Sequence, residues 1–294
     1  MSDAQQNPLQ TAMGLLSELQ QQADGDLKTG LKELAGLLAD ADQRGEGEDA
    51  ASLRQQIEDL ITLNAQFVSV MVHEIRVPMT SIKGYSDMLG KSMSGDLPLD
   101  DSMKLQFIET IRSNVTRMEH LVADISDMSK IQSGRMRLDP KTMDMYKNIA
   151  MQLEKDMAAF AAEHEHTLTF DTPDGLPMLL NFDSTRLVQA LEKLLHNAIQ
   201  YTPHGGEIIV RAENADGWLK ISIIDNGIGM SEEEQTHIGE LFWRADSELV
   251  RSFKGHGLGL PIAIGFTKLI GGEFFYESEP EKGSTFGIKV PGMS

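Results

Sequence analysis

The sequence predicts two units of different class: an all-helical hairpin, then an α+β domain whose helices are layered on one mixed sheet. Three observations predict this. Apolar residues at steps of three and four run through residues 51 to 125, with one break. After SGRMRLDP, strand-type apolar runs begin to alternate with helical ones. The 294 residues suffice for two cores, and a hydrophobic content of 40% is ordinary for a folded chain.

Taken in order, residues 1–50 form a helical segment of undefined role. Leu27, Leu31, Leu34 and Leu38 make its stripe, and QRGEGED ends it as a linker. The plain reading is a helical pair or dimerisation segment. Residues 51–135 form the hairpin. Phe67, Met71, Ile75, Pro78, Ile82, Tyr85 and Leu89 mark the seam of its first helix. KSMSGDLPLD turns the chain, and Ile108, Ile111, Val115, Met118, Val122 and Ile125 mark the second seam. Neither helix buries its seam fully within one hairpin, so two hairpins are expected to pair as a four-helix bundle in a homodimer. Residues 136–294 form the α+β domain. Its strands are expected at TLTF, MLLNF, EIIVRAE, WLKISIID, GEFFYES and GSTFGIKV, and its helices near 145–164, 184–199 and 258–270.

Composition narrows the function. No cysteine is present, which excludes disulfides, thiolate zinc sites and a cysteine nucleophile. A formal charge of −19 opposes binding to nucleic acid or to an anionic membrane. With no signal-like start and no apolar run of about 18 residues, the expected location is cytoplasmic, without membrane insertion.

Two constellations carry chemistry. In VMVHEIRVPM, His73 lies two positions from both Met71 and Ile75, roughly 160° away from the seam on a helix, and so faces solvent. Glu74 is within reach of its imidazole. Taken alone, a solvated His-Glu pair is the plainer explanation. Pro78 removes the helical bond to the carbonyl of Glu74, and a kink is expected there. The second constellation begins where WLKISIID runs into DNGIGM. Gly227 and Gly229 permit tight turns. In KGHGLGLPIAIGF, Gly255, Gly257 and Gly259 expose amides at a helix start, a cradle for phosphate. No GKS or GKT follows, so this is not a P-loop, and the G-x-G-x-G spacing is not a dinucleotide fingerprint. Asn197, on the helix of LEKLLHNAIQYTPHGG, offers a hard oxygen suited to Mg²⁺, though a buried or capping asparagine is an equal reading.

HEIRVP, HNAIQYTP, DNGIGM, ELFWRA and GHGLGL, in that order over residues 60–294, resemble the five sequence boxes of the sensor histidine kinases of two-component systems. The resemblance implies a dimeric hairpin bearing the phosphoacceptor, then an α/β-sandwich ATP-binding domain of the Bergerat (GHKL) type. It implies that His73 accepts phosphate from ATP and that Glu74 holds its ring and acts as base. Arg76 could steady the incoming phosphates. Arg244 or Lys254 would neutralise the terminal phosphate. Asn197 would hold Mg²⁺, and Asp225 would accept from the adenine amino group, selecting ATP over GTP. Gly227 and Gly229 would line the base pocket. Gly255, His256, Gly257, Leu258 and Gly259, with Lys193 and Tyr201, would complete the nucleotide site. Residues 231–254 would form a lid anchored by Phe242 and Trp243. The implied partner is the receiver domain of a response regulator.

The sequence departs from the family pattern at four places. Lys193 stands where a first asparagine is usual, Gln200 where a basic residue is usual, Gly239 where an aromatic is usual, and Val77 where a polar Thr or Asn is usual. In the family that polar residue positions the water for dephosphorylating the regulator, so weak or absent phosphatase activity is expected. Two alternatives stand beside the kinase: a phosphorylation-deficient, nucleotide-binding scaffold, and a Bergerat-type ATPase or chaperone.

Overall fold

The computed structural model describes residues 47–144, 146–173, 176, 179–245 and 255–291. The leucine stripe of residues 27–38 and Lys254 lie outside them. The chain divides into two compact units, Met1–Met136 and Arg137–Ser294.

In the first unit, α1 (Gly47–Met93) and α2 (Asp101–Gln132) form the hairpin. The turn between them is built as its composition requires. Gly95 takes a left-handed φ of 86°, and Asp100 caps α2, accepting from Met103 N at 2.8 Å and Ser102 Oγ at 2.7 Å. The predicted seam turns inward. Met71 and Pro78 are buried, Ile75, Ile82, Tyr85 and Leu89 are half-buried, and Tyr85 meets Phe107 of α2 with ring centres 5.0 Å apart. Leu121, Asp124 and Met128 are the buried residues of α2. Helix α1 continues through Pro78 as one 47-residue element. Beside the missing bond, Thr80 Oγ1 donates to the carbonyl of Arg76 at 2.9 Å. Among the described residues, no helix is long and apolar enough to cross a membrane.

The second unit contains β1 (Lys141–Asp144), α3 (Tyr146–Glu163), β2 (Thr167–Asp171), β3 (Leu179–Phe182) and α4 (Ser184–Tyr201). It continues with β4 (Glu207–Ala215), β5 (Trp218–Asp225), the single turn α5 (Glu232–Gln235), α6 (Gly259–Leu269), β6 (Glu273–Glu279) and β7 (Gly283–Pro291). Five strands form a sheet in the order β2-β4-β5-β7-β6, with β2 parallel to β4 and the other pairs antiparallel. The mixed sheet is as expected, but the expectation of a single sheet is corrected. MLLNF does not join it. Its strand β3 pairs antiparallel with β1 in a separate two-stranded ribbon. Asp183 enforces this: its carboxylate caps α4 through Arg186 N at 3.1 Å and also accepts from Asp139 N at 2.8 Å, so the strand before α4 is tied to the segment leading into β1. Helix α4 supplies the densest part of the core, with Leu187, Leu191, Leu194, Leu195 and Ile199 fully buried against α3, α6 and the sheet. Each such leucine contributes roughly 2 kcal/mol of burial. The same helix ends at the loop where the second constellation assembles.

Candidate functional site

On the hairpin, His73 is exposed and its neighbours divide as the helical period demands. Arg76 and Val77 are also exposed, while Glu74 is partly buried toward α2. There Glu74 Oε2 accepts from Arg117 Nη2 at 2.9 Å. A partly exposed pair of this kind contributes on the order of 1 kcal/mol, so its significance is geometric. It fixes one carboxylate oxygen and leaves Oε1 for another donor. Nothing in the sequence pattern singled out Arg117. Its one signal was an arginine immediately before the seam residue Met118.

In the second unit, the end of β5 carries Asp225, buried to 8% exposure. One of its oxygens, Oδ1, accepts from the amides of Gly227 at 2.9 Å and Ser284 at 3.1 Å. Burial pushes its carboxyl up to about 6, outweighing those two hydrogen bonds, which act downward. A desolvated carboxylate with its second oxygen uncommitted by these bonds is an acceptor for a ligand N–H. Around it the backbone is too close for side chains. A Cβ on Gly227 would lie 2.6 Å from the Tyr201 carbonyl and 2.7 Å from Asp225 Oδ1, and one on Gly229, at a φ of 63°, would strike the Glu279 carbonyl. Tyr201 contributes through its backbone, accepting from Ile228 N at 3.1 Å. Thr202, whose hydroxyl borders Gly227, is a further site residue that the sequence motifs did not mark.

The second glycine cluster lies against α4. The site of a Cβ on Gly259 is 3.7 Å from Asn197 Oδ1, and that on Gly255 is 3.4 Å from Gln200 Nε2. Gly257, at a φ of 71°, has the Phe242 backbone 2.7 Å from where its Cβ would be. Leu258 is buried at the N-cap of α6 and offers no side-chain cap, which leaves the first-turn amides to an outside acceptor. His256 is half-buried in the same segment. Arg244 Nη1 donates to the Gly255 carbonyl at 2.8 Å, so this guanidinium is tied to the glycine segment. These residues fit a nucleotide with its phosphates at α6 and its base at Asp225. Asn197 Oδ1 is a hard oxygen beside the α6 end, of the kind that would suit an ion completed by phosphate and water. Lys193 lies one turn before Asn197, half-buried, next to Glu192, whose carboxyl is raised by burial and by Asp156.

The first part of the segment expected to form a lid is pinned. Ser231 caps α5 in a capping box with Glu234, and Gln235 Nε2 donates to the carbonyls of Met230 at 3.1 Å and Ser278 at 3.0 Å. Trp243 stacks on His237 with ring centres 5.1 Å apart, and Phe242 N donates to the Gly257 carbonyl at 3.1 Å. Gly239 has a φ of 90°, which an aromatic side chain could not adopt without strain. Its departure from the family pattern therefore has a local cause.

Comparison with known proteins places this geometry. The model for the phosphoacceptor domain of histidine kinases matches residues 63–134. The model for the histidine kinase-, DNA gyrase B- and HSP90-like ATPases matches residues 182–293. The histidine protein kinase DivJ of Caulobacter vibrioides is 32% identical over 88% of this chain and 42% of its own length. The chain spans less than half the length of the curated relatives it matches. Among solved structures, the histidine kinase ThkA in complex with the response regulator TrrA aligns with a TM-score of 0.58 and 24% identity, over 84% of this chain and 67% of that one. Full-length ShkA in complex with AMPPNP aligns with a TM-score of 0.56 and 21% identity, over 78% and 46%. With both family domains in order along one chain, and an exposed histidine on the first and a nucleotide cradle on the second, the chain belongs to the sensor histidine kinase family.

Proposed function

We propose that the protein is an ATP-dependent histidine kinase that phosphorylates itself on His73 and passes the phosphoryl group to an aspartate of a response regulator. The observation that carries this reading is the exposed His73 beside Glu74, itself fixed by Arg117, on a chain that also holds a nucleotide cradle. Asp225 accepts from the adenine amino group, the amides of α6 hold the phosphates, and Asn197 holds Mg²⁺. The neutral imidazole of His73 attacks the terminal phosphorus. The bond to the ADP oxygen breaks as the N–P bond forms, and the ring proton leaves through Glu74. Arg244, with Lys254, offsets charge on the transferring group. Support for the kind of partner comes from ThkA, which was solved in complex with a response regulator, and support for the nucleotide from ShkA, solved in complex with AMPPNP.

The functional unit is a homodimer, supported by the half-buried seam and by apolar side chains left open along the hairpin, such as Val68, Leu105 and Val122, each more than half exposed. Its site of action is the cytoplasm, where ATP is available. Phosphatase activity is weak or absent, because the isopropyl group of Val77 cannot orient a water.

Incubation with terminally labelled ATP and Mg²⁺ tests the kinase reading. The expected result is an acid-labile label that is lost in His73→Ala. ATP binding without any label would replace this reading with that of a nucleotide-dependent scaffold.

A further inference from the structure

Away from the nucleotide cradle, three histidines gather where α3 ends, β2 begins and the loop after α4 passes. The ring centres of His164 and His166 are 5.8 Å apart, those of His164 and His204 also 5.8 Å, and those of His166 and His204 6.4 Å. Two of these rings have their tautomers set. His164 Nδ1 lies 2.9 Å from the Phe160 carbonyl and His166 Nε2 lies 2.9 Å from the Ile199 carbonyl. A carbonyl only accepts, so both nitrogens carry N–H, and the lone pairs sit on His164 Nε2 and His166 Nδ1. This is the arrangement of metal-ligating histidines, whose second N–H is held by a backbone carbonyl. His166 is 8% exposed, and its Nδ1 is buried without a hydrogen-bond partner. A buried lone pair left unmatched is costly unless something fills it.

The backbone holds the three together. Gly205 N donates to the His164 carbonyl at 3.4 Å and Thr167 N to the Gly206 carbonyl at 2.9 Å, which fastens the His204 loop to the His164–Thr167 segment. Glu165, between the first two histidines, takes a φ of 60°, a left-handed conformation usually left to glycine at a helix end. Nitrogen–metal bonds of about 2.0–2.1 Å place each ring centre about 3.2 Å from a shared ion, so two ligating rings stand at most about 6.4 Å apart. Each separation falls within that limit, but the circle through the three ring centres has a radius of about 3.5 Å, so a ring must draw in by a few tenths of an ångström before one ion reaches all three. The ring planes of His164 and His204 are within 16° of parallel, and among the described residues no three His, Asp or Glu side chains already surround one position. Closing the site therefore requires the exposed His204 ring to rotate toward the other two.

We propose that His164, His166 and His204 bind a divalent transition-metal ion of the zinc or nickel class, for which imidazole is the suited ligand. This site is distinct from the Mg²⁺ position at Asn197 and stands whether or not the kinase reading does. The test is calorimetric titration of the whole chain with zinc chloride, beside His204→Ala, His164→Gln and, as a control on the hairpin, His120→Ala. His204 and His120 are exposed and His164 is half-buried, so these changes spare the core; thermal unfolding without metal checks this. The expected result is one saturable equivalent per chain, weakened at least about tenfold by each of the first two changes and unaltered by the third. Absence of saturable binding, or binding unchanged in both His204→Ala and His164→Gln, would overturn the proposal and leave the three rings as packing at the sheet edge.

Discussion

The hairpin and the α+β domain are similarly apolar in sequence but differ in how far they finish their cores. In the α+β domain, Leu138, Met151 and Tyr276 are the only large apolar side chains left exposed among the described residues, while α4 alone buries five leucine and isoleucine side chains almost completely. Along the hairpin the proportion reverses: Met71, Leu121 and Met128 are buried, and Val68, Val72, Met79, Leu105, Ile108, Val115 and Val122 are exposed. One unit has a core of its own. The other presents half of one, and a second copy is the economical completion.

That contrast can be broken most sharply by separating the units. Residues 137–294 alone should fold as a monomer and bind ATP. Residues 47–136 alone should fold only as a dimer, with a melting temperature that rises with concentration; light scattering and unfolding at several concentrations decide this. A monomeric, concentration-independent hairpin would sink the dimer.

Point changes sharpen it. Leu194→Ala, at a fully buried position, should cost about 2–5 kcal/mol in denaturant unfolding, whereas Ile108→Ala should leave unfolding of the α+β domain unchanged and weaken dimerisation roughly tenfold. Asp225→Asn should separate stability from function. The carboxyl of Asp225 stands at about 6 in the folded state against an ordinary 3.8, so between those values the folded protein holds the extra proton, and stability falls as pH rises through that window. The loss reaches about 3 kcal/mol above pH 6. The amide should recover part of it while ATP affinity drops by about a hundredfold, the cost of losing a charged acceptor in a desolvated site. In the unsubstituted protein, ATP affinity should decline as pH falls through about 6.

Smaller still, Arg117→Ala should slow autophosphorylation about tenfold with little change in stability, since it frees the Glu74 carboxylate without opening a cavity. Labelling rate beside a denaturation curve separates the two effects. The smallest expected change is Val77→Thr, read as a gain in dephosphorylation of the regulator at unaltered labelling of His73.

Much of this was legible in the residues because local periodicity wrote it. Steps of three and four identified the seam, and the same period pointed His73 outward. Glycines marked the tight approaches at positions 227, 229 and 257, where the structure leaves no room for a Cβ. Long-range pairing was not legible. KTMD is four residues long with a single apolar residue, so nothing in it announced a strand, and MLLNF reads equally well as part of either sheet. Arg117 and Glu74 are 43 positions apart, and only the register of the hairpin brings them together. Gly239 looked like a weakened motif until its φ of 90° gave the reason.

The unbroken length of α1 has a mechanical consequence. From Gly47 to His73 the chain rises as a single rod for roughly 40 Å, with Pro78 one turn and a half beyond the histidine. A rod without an upstream joint conveys torque rather than absorbing it. A twist applied at its far end therefore reaches the imidazole as a change of bearing, and the first place where the strain can be released is the proline just past it.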